Sequence, residues 1–191
     1  EIEDTAALVR EAGKRVQSVY IGGGTPTTLD ENQLARLLAA LEKNFDFSAL
    51  REYTVEAGRP DTITPEKLAA LRAAGVGRVS INPQSMDDAV LAAIGRRHSA
   101  QDVLRAYDQA RQAGFDAVNM DVIAGLTGDT ADSFARTIDT LIGLAPENIT
   151  VHTLAIKRGA DLTDKAAASA QRDTVSRMLD GAAQALQTAG Y

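Results

Sequence analysis

At 191 residues, with 45% hydrophobic and 24% charged side chains, the chain has the length and balance of one well-buried globular domain. It has no apolar run long enough to cross a bilayer and no secretory leader pattern at its start, so a cytoplasmic protein without a membrane span is expected. A net charge of −6 and 4% aromatic content argue against a general nucleic-acid surface, and zero cysteines exclude disulfides and thiolate metal ligands within these residues.

In chain order, a helical pattern opens the sequence and stops at Ala12-Gly13, and a strand follows over 16–21. Gly22-Gly23-Gly24-Thr25-Pro26-Thr27 comes directly behind it. A helix is predicted over 31–43 from an Asp30 cap, a strand over 52–57, and a helix over 65–74 opened by Thr64-Pro65. The Ala-Gly stop returns at Ala74-Gly75 before a strand over 78–82, and at Ala113-Gly114 before a strand over 117–123. Between those two strands, a helix over 100–112 starts at Ser99. Glycine just past a helix end suits a left-handed residue, where a Cβ is penalised. Thr130 or Asp132 opens a helix over 130–143. A strand over 149–154 and an alanine-rich outer helix over 165–188 complete the pattern.

Strict alternation of helix and strand calls for a parallel sheet, because parallel strands need crossover connections. Five strands and six helices fit either a doubly wound sheet or a β/α barrel. Strand composition favours the barrel. Thr54 and Glu56, Ser80, Asn82 and Gln84, and Asn119 and Asp121 alternate with Val55, Val79 and Ile81, and Met120 and Val122. Each strand therefore has one polar and one apolar face, whereas central strands of an open doubly wound sheet are usually apolar on both. The expected fold is α/β, a partial (β/α)6 TIM-like barrel with its first strand missing. Glu1 begins inside a helix pattern and Tyr191 follows a helix stop, so residues 1–191 are expected to be one barrel fragment cut at both ends.

Chemistry is expected where strands end, since barrel active sites lie at that rim. The three glycines of the first loop let a ligand approach the main chain, and Pro26 restrains Thr25 to extended geometry. The run is neither a P-loop nor a dinucleotide-binding turn. Glu56, Gln84 and Asp121 fall near the ends of three successive strands, at equivalent depth. Arg96 suits bidentate binding of a carboxylate. Arg97 reads as a solvated turn residue, His98 as a turn or capping residue, and His152 as a hydrogen-bonded core histidine.

The ordered set Tyr20-Ile21-Gly22-Gly23-Gly24-Thr25-Pro26-Thr27, Val55-Glu56-Ala57, Ser80-Ile81-Asn82-Pro83-Gln84-Ser85, Ile94-Gly95-Arg96-Arg97-His98 and Asn119-Met120-Asp121-Val122-Ile123-Ala124-Gly125-Leu126 resembles radical S-adenosylmethionine (SAM) enzymes of the oxygen-independent coproporphyrinogen III oxidase group. Thr150-Val151-His152-Thr153-Leu154-Ala155-Ile156-Lys157-Arg158 looks most like the HemZ-type branch. The resemblance implies a radical SAM barrel, SAM and a 4Fe–4S cluster as cofactors, an electron donor, and a porphyrinogen substrate of heme biosynthesis. It implies that Gly23, Gly24, Thr25 and Glu56 hold the cluster-bound SAM. It places Gln84, Arg96, Asp121 and Ala155 against a second SAM molecule. Related members of the group resemble heme chaperones, which is the alternative function. Two departures stand out. The CxxxCxxC loop that ligates the cluster is absent, which reads as truncation, and Asn82-Pro83-Gln84 replaces the group's more common Gly-Val-Gln. Pro83 has no N–H and is expected to interrupt a ladder bond.

Overall fold

The computed structural model describes residues 1–154 and 165–191. Its elements are α1 (Ile2–Glu11), β1 (Ser18–Ile21), α2 (Glu31–Asn44), β2 (Glu52–Ala57), α3 (Pro65–Ala73), β3 (Arg78–Gln84), α4 (Asp88–Ala93), α5 (Ala100–Gln112), β4 (Ala117–Ala124), α6 (Ala131–Leu144), β5 (Asn148–Thr153) and α7 (Lys165–Thr188). The strands form one sheet in the order β1-β2-β3-β4-β5, with β1–β2, β2–β3 and β4–β5 paired in parallel. A doubly wound sheet reverses its strand order at a switch point. An order that simply follows the sequence belongs to a β/α barrel, so the fold is α/β and partial TIM-barrel-like.

The helices begin where side chains can take over unpaired backbone donors. Asp30 accepts the Gln33 N–H at 2.8 Å while Gln33 returns its side chain to the Asp30 N–H, a reciprocal cap. Thr64 caps α3, and Thr130 caps α6 through Ser133, which settles the choice between Thr130 and Asp132. Gly13, Gly75 and Gly114 have φ of +61°, +82° and +76°, so the repeated Ala-Gly stop is a left-handed helix end each time. The short α4 was not anticipated. Six residues give too little periodicity to recognise, and its one clear signal is Asp87, which caps Ala89 and Val90.

The chain divides into two compact units. The first, Glu1–Ile81 with Arg105–Val118, buries Leu34 and Leu38 of α2, Leu68 and Leu71 of α3, and Val55 and Val79 of the sheet. The second, Asn82–Leu104 with Asn119–Tyr191, buries Phe134, Ile138 and Leu141 of α6 with Met178 and Ala182 of α7. Each such large side chain contributes about 1.5–3 kcal/mol on leaving water. The apolar strand face is as expected: Val55, Val79, Ile81, Met120 and Val122 are all buried. The polar face is buried too, at Thr54, Ser80, Asn82, Gln84 and Asn119. Buried polar groups need partners, and where these lie directs attention to the site.

Candidate functional site

In the first unit, the site grows out of the end of β1. Gly23 and Gly24 adopt φ of +84° and +61°, and a Cβ on either would meet no atom within 4 Å. Their requirement for glycine is therefore conformational, and the space above them is open. Gly22 is different, since a Cβ there would come within 2.3 Å of the Tyr20 ring and 3.1 Å of Glu56 Oε2. Glu56 stands one residue before the end of β2, and its Oε2 accepts the Gly23 N–H at 3.2 Å. The glycine loop and the acidic residue singled out in the sequence are thus brought together.

The far end of this loop is fixed. Thr25 is extended and caps a 3-10 turn over Pro26–Thr28, whose Thr28 hydroxyl donates to the Thr25 carbonyl at 2.7 Å. Thr27 is fully buried and shares a 2.6 Å hydrogen bond with the Thr62 hydroxyl. Lys67 Nζ donates to the Thr27 carbonyl at 2.7 Å and to the Thr62 carbonyl at 3.3 Å. Sequence reasoning missed Lys67. A lone lysine in the first turn of a helix carries no signal that it ties two loops together.

In the second unit, the end of β3 continues through Pro83 to Gln84. Gln84 takes φ of +68°, one of two non-glycine residues in the left-handed region among the described residues. Such a conformation costs about 1–2 kcal/mol for an L-residue. Gln84 is only 7% exposed, and its Oε1 has no hydrogen-bond partner among the described residues. A strained backbone and a buried orphan acceptor in the same residue mark a place held for something other than stability.

His98 holds this corner. It is buried, and its Nε2–H donates to the Pro83 carbonyl at 3.2 Å, across the peptide leading into Gln84. It is a buried strut rather than the expected turn or cap residue, because its ring reaches back to the carbonyl of a strand end. Arg96, two residues earlier, is half-buried and makes no ion pair among the described residues, whereas Arg97 is exposed as expected. His152 is exposed on β5, the last strand in the sheet order, and is not the core histidine expected.

Asp121, half-buried on β4, accepts the Asn119 Nδ2–H at 2.6 Å. Asn119 Oδ1 in turn accepts from Asn148 Nδ2 and, at 3.0 Å, from the Thr150 hydroxyl. Glu56 pairs with Ser80 of β3. Ala155 lies outside the described residues. Among the described residues, no group of three or more acidic or histidine side chains could hold a metal, and no helix is long and apolar enough to cross a membrane.

The chain is 39% identical over its whole length to the oxygen-independent coproporphyrinogen-III oxidase-like protein HemZ of Bacillus subtilis, covering 39% of that protein. It is 37% identical to the heme chaperone HemW of the same organism, over 74% of this chain and 38% of the relative. Among solved structures, the coproporphyrinogen III oxidase HemN of Escherichia coli superposes with a TM-score of 0.81 at 28% identity, covering all of this chain and 45% of that one. The chain therefore spans about two fifths of the length of these curated relatives. The model of the Radical SAM superfamily matches residues 1–141, and the chain belongs to that superfamily.

Proposed function

We propose that this chain is the SAM-binding part of an oxidoreductase of heme biosynthesis. The reaction would be oxygen-independent oxidative decarboxylation of coproporphyrinogen III propionates to vinyl groups. Radical SAM proteins work with SAM and a 4Fe–4S cluster. This chain has no cysteine, so the thiolates that ligate such a cluster are not among its residues. Its residues do fit SAM. When bound, SAM on its cluster supplies a 5′-deoxyadenosyl radical for hydrogen abstraction.

The chain's own contribution is binding and orientation. Gly23 and Gly24 present main chain to open space, and Glu56 sets an anionic group beside them. A zwitterionic amino-acid moiety matches that pairing: the ammonium meets the carboxylate, and its carboxylate meets backbone N–H groups. Thr25 carries the loop into its fixed turn. In the second unit, Gln84 offers a carbonyl acceptor, Arg96 a guanidinium and Asp121 a carboxylate, which together suit a second SAM molecule. A porphyrinogen substrate and an electron donor complete the reading.

The observation that carries the oxidase reading is Gln84, left-handed, buried and with an unpartnered Oε1. A chaperone that only transfers heme has no need for the Gln84, Arg96 and Asp121 set. The HemW relative nevertheless favours heme transfer as the second reading. An anaerobic assay of the full-length protein with coproporphyrinogen III separates the two. Formation of vinyl product with release of carbon dioxide supports the oxidase. Heme binding and transfer without turnover supports the chaperone.

A further inference from the structure

A carboxylate can only accept hydrogen bonds, and that fact orients a chain of amides on the polar strand face of the second unit. Asp121 takes the Nδ2–H of Asn119 at 2.6 Å, so Asn119 must turn its Oδ1 toward β5. There Asn148 Nδ2 and the Thr150 hydroxyl both donate to it. The register makes this possible, because Asn119 pairs with Asn148 and Asp121 with Thr150. Turning the Asn119 amide over would set two acceptors against each other at Asp121 and two donors against each other at Asn148. One orientation survives. Asn119 is 4% exposed, so water cannot readily replace these partners.

We infer that Asn119 is a positioning residue for Asp121, held in its donating orientation by Asn148 and Thr150. The polar face of β4 and β5 thereby delivers a fixed carboxylate to a cationic or hydroxyl-bearing ligand. The inference rests on the proposed role of Asp121 in binding SAM. Asn119 itself touches no ligand: both faces of its amide are engaged within the protein. Its effect is to restrict the rotamers of Asp121, so that the ligand does not have to order that side chain on binding.

The test uses full-length protein, SAM as probe, and two readouts: equilibrium affinity for SAM and thermal midpoint. Asp121→Asn should weaken SAM binding. Asn119→Asp has the same size and still accepts from Asn148 and Thr150, but it sets a second carboxylate against Asp121; affinity should fall about tenfold or more, as for loss of a charge-assisted bond. The swap Asn119→Asp/Asp121→Asn restores a donor–acceptor pair with its charge at the wrong position, so the midpoint should recover while affinity stays low. Asn148→Ala/Thr150→Val alters only β5 side chains outside the core and leaves both Asn119 and Asp121 intact. It should weaken SAM binding and lower the midpoint, since the buried Asn119 Oδ1 loses both donors. The Asn119→Asp/Asp121→Asn swap, with its midpoint recovered, separates the binding effect from the loss of stability. If Asp121→Asn binds SAM as the parent does, the role of Asp121 fails and the inference with it. If Asp121→Asn loses affinity while Asn148→Ala/Thr150→Val and Asn119→Asp both bind normally, the role of Asp121 stands and the positioning by Asn119 is refuted.

Discussion

Glu56 Oε2 accepts the main-chain N–H of Gly23 at 3.2 Å, joining two residues 33 positions apart in the sequence. The bond occupies one carboxylate oxygen with a backbone donor. The contact holds the loop beside an anionic group that a ligand ammonium can share.

Glu56→Ala in full-length protein is expected to abolish SAM cleavage while leaving the cluster in place. Glu56→Gln keeps an acceptor for Gly23 but loses the charge, and should weaken SAM binding by roughly 10- to 100-fold. Production of 5′-deoxyadenosine and the iron–sulfur absorption band, measured on the same samples, check both statements. Unchanged 5′-deoxyadenosine formation removes Glu56 from the site.

Substitution of the loop glycines should separate strain from crowding. Gly23→Ala and Gly24→Ala each force an L-residue into a left-handed conformation and are expected to cost about 1–2 kcal/mol with no steric clash. Gly22→Ala instead drives a Cβ into the Tyr20 ring. Its cost should be recovered in the Tyr20→Ala background, while those of Gly23→Ala and Gly24→Ala should not. Chemical denaturation of the single and double variants decides this.

Gln84→Gly is expected to trade binding for stability. It relieves the φ of +68° and removes the buried orphan acceptor, for a net gain of about 1 kcal/mol after the added backbone entropy of glycine. SAM affinity should drop at the same time. A variant that is both less stable and unimpaired in binding would contradict the functional reading of this residue.

Tyr53 governs an alkaline limb. Burial first, and then the charge of Glu42, push its phenol above the ordinary value of 10.0, and its hydroxyl has no partner among the described residues. The folded state therefore keeps this proton when the unfolded chain releases it. The associated stability is present below about pH 10 and is lost as pH rises through the folded value. Tyr53→Phe should flatten that limb, and at neutral pH it should be neutral or stabilising by about 1 kcal/mol, since it deletes an unsatisfied buried group. Thermal midpoints measured across pH 8 to 11 (roughly, bracketing the tyrosine range) provide the check.

The 191-residue chain by itself is expected to bind no iron, because none of its residues is a thiolate. Anaerobic reconstitution with iron and sulfide, followed by absorption spectroscopy and metal analysis, tests this directly.

Much of the architecture was legible because its signals are local. Asp30, Thr64 and Thr130 announce helix starts, Gly13, Gly75 and Gly114 announce helix stops, and Val79 and Ile81 alternate with Ser80 and Asn82. Gly23 and Glu56 were legible as candidates because three glycines at a strand end and a carboxylate within a strand are each unusual. What stayed hidden depends on partners distant in sequence. Nothing around Asn119 names Asn148, nothing in the sequence says that Pro83 would be continuous with its strand and bound by His98, and Lys67 reads as an ordinary helix cation. Register, such as the pairing of Glu56 with Ser80, emerges only when the strands pair.

Lys67 carries a consequence for how this part of the molecule can change. By grasping the carbonyls of both Thr27 and Thr62, it joins the connection after β1 to the connection after β2. A residue inserted into or deleted from either connection would be felt in both. The two segments should therefore vary together in length, with the spacing between the Gly22-Gly23-Gly24 run and Thr27 matched to that between Glu56 and Thr62.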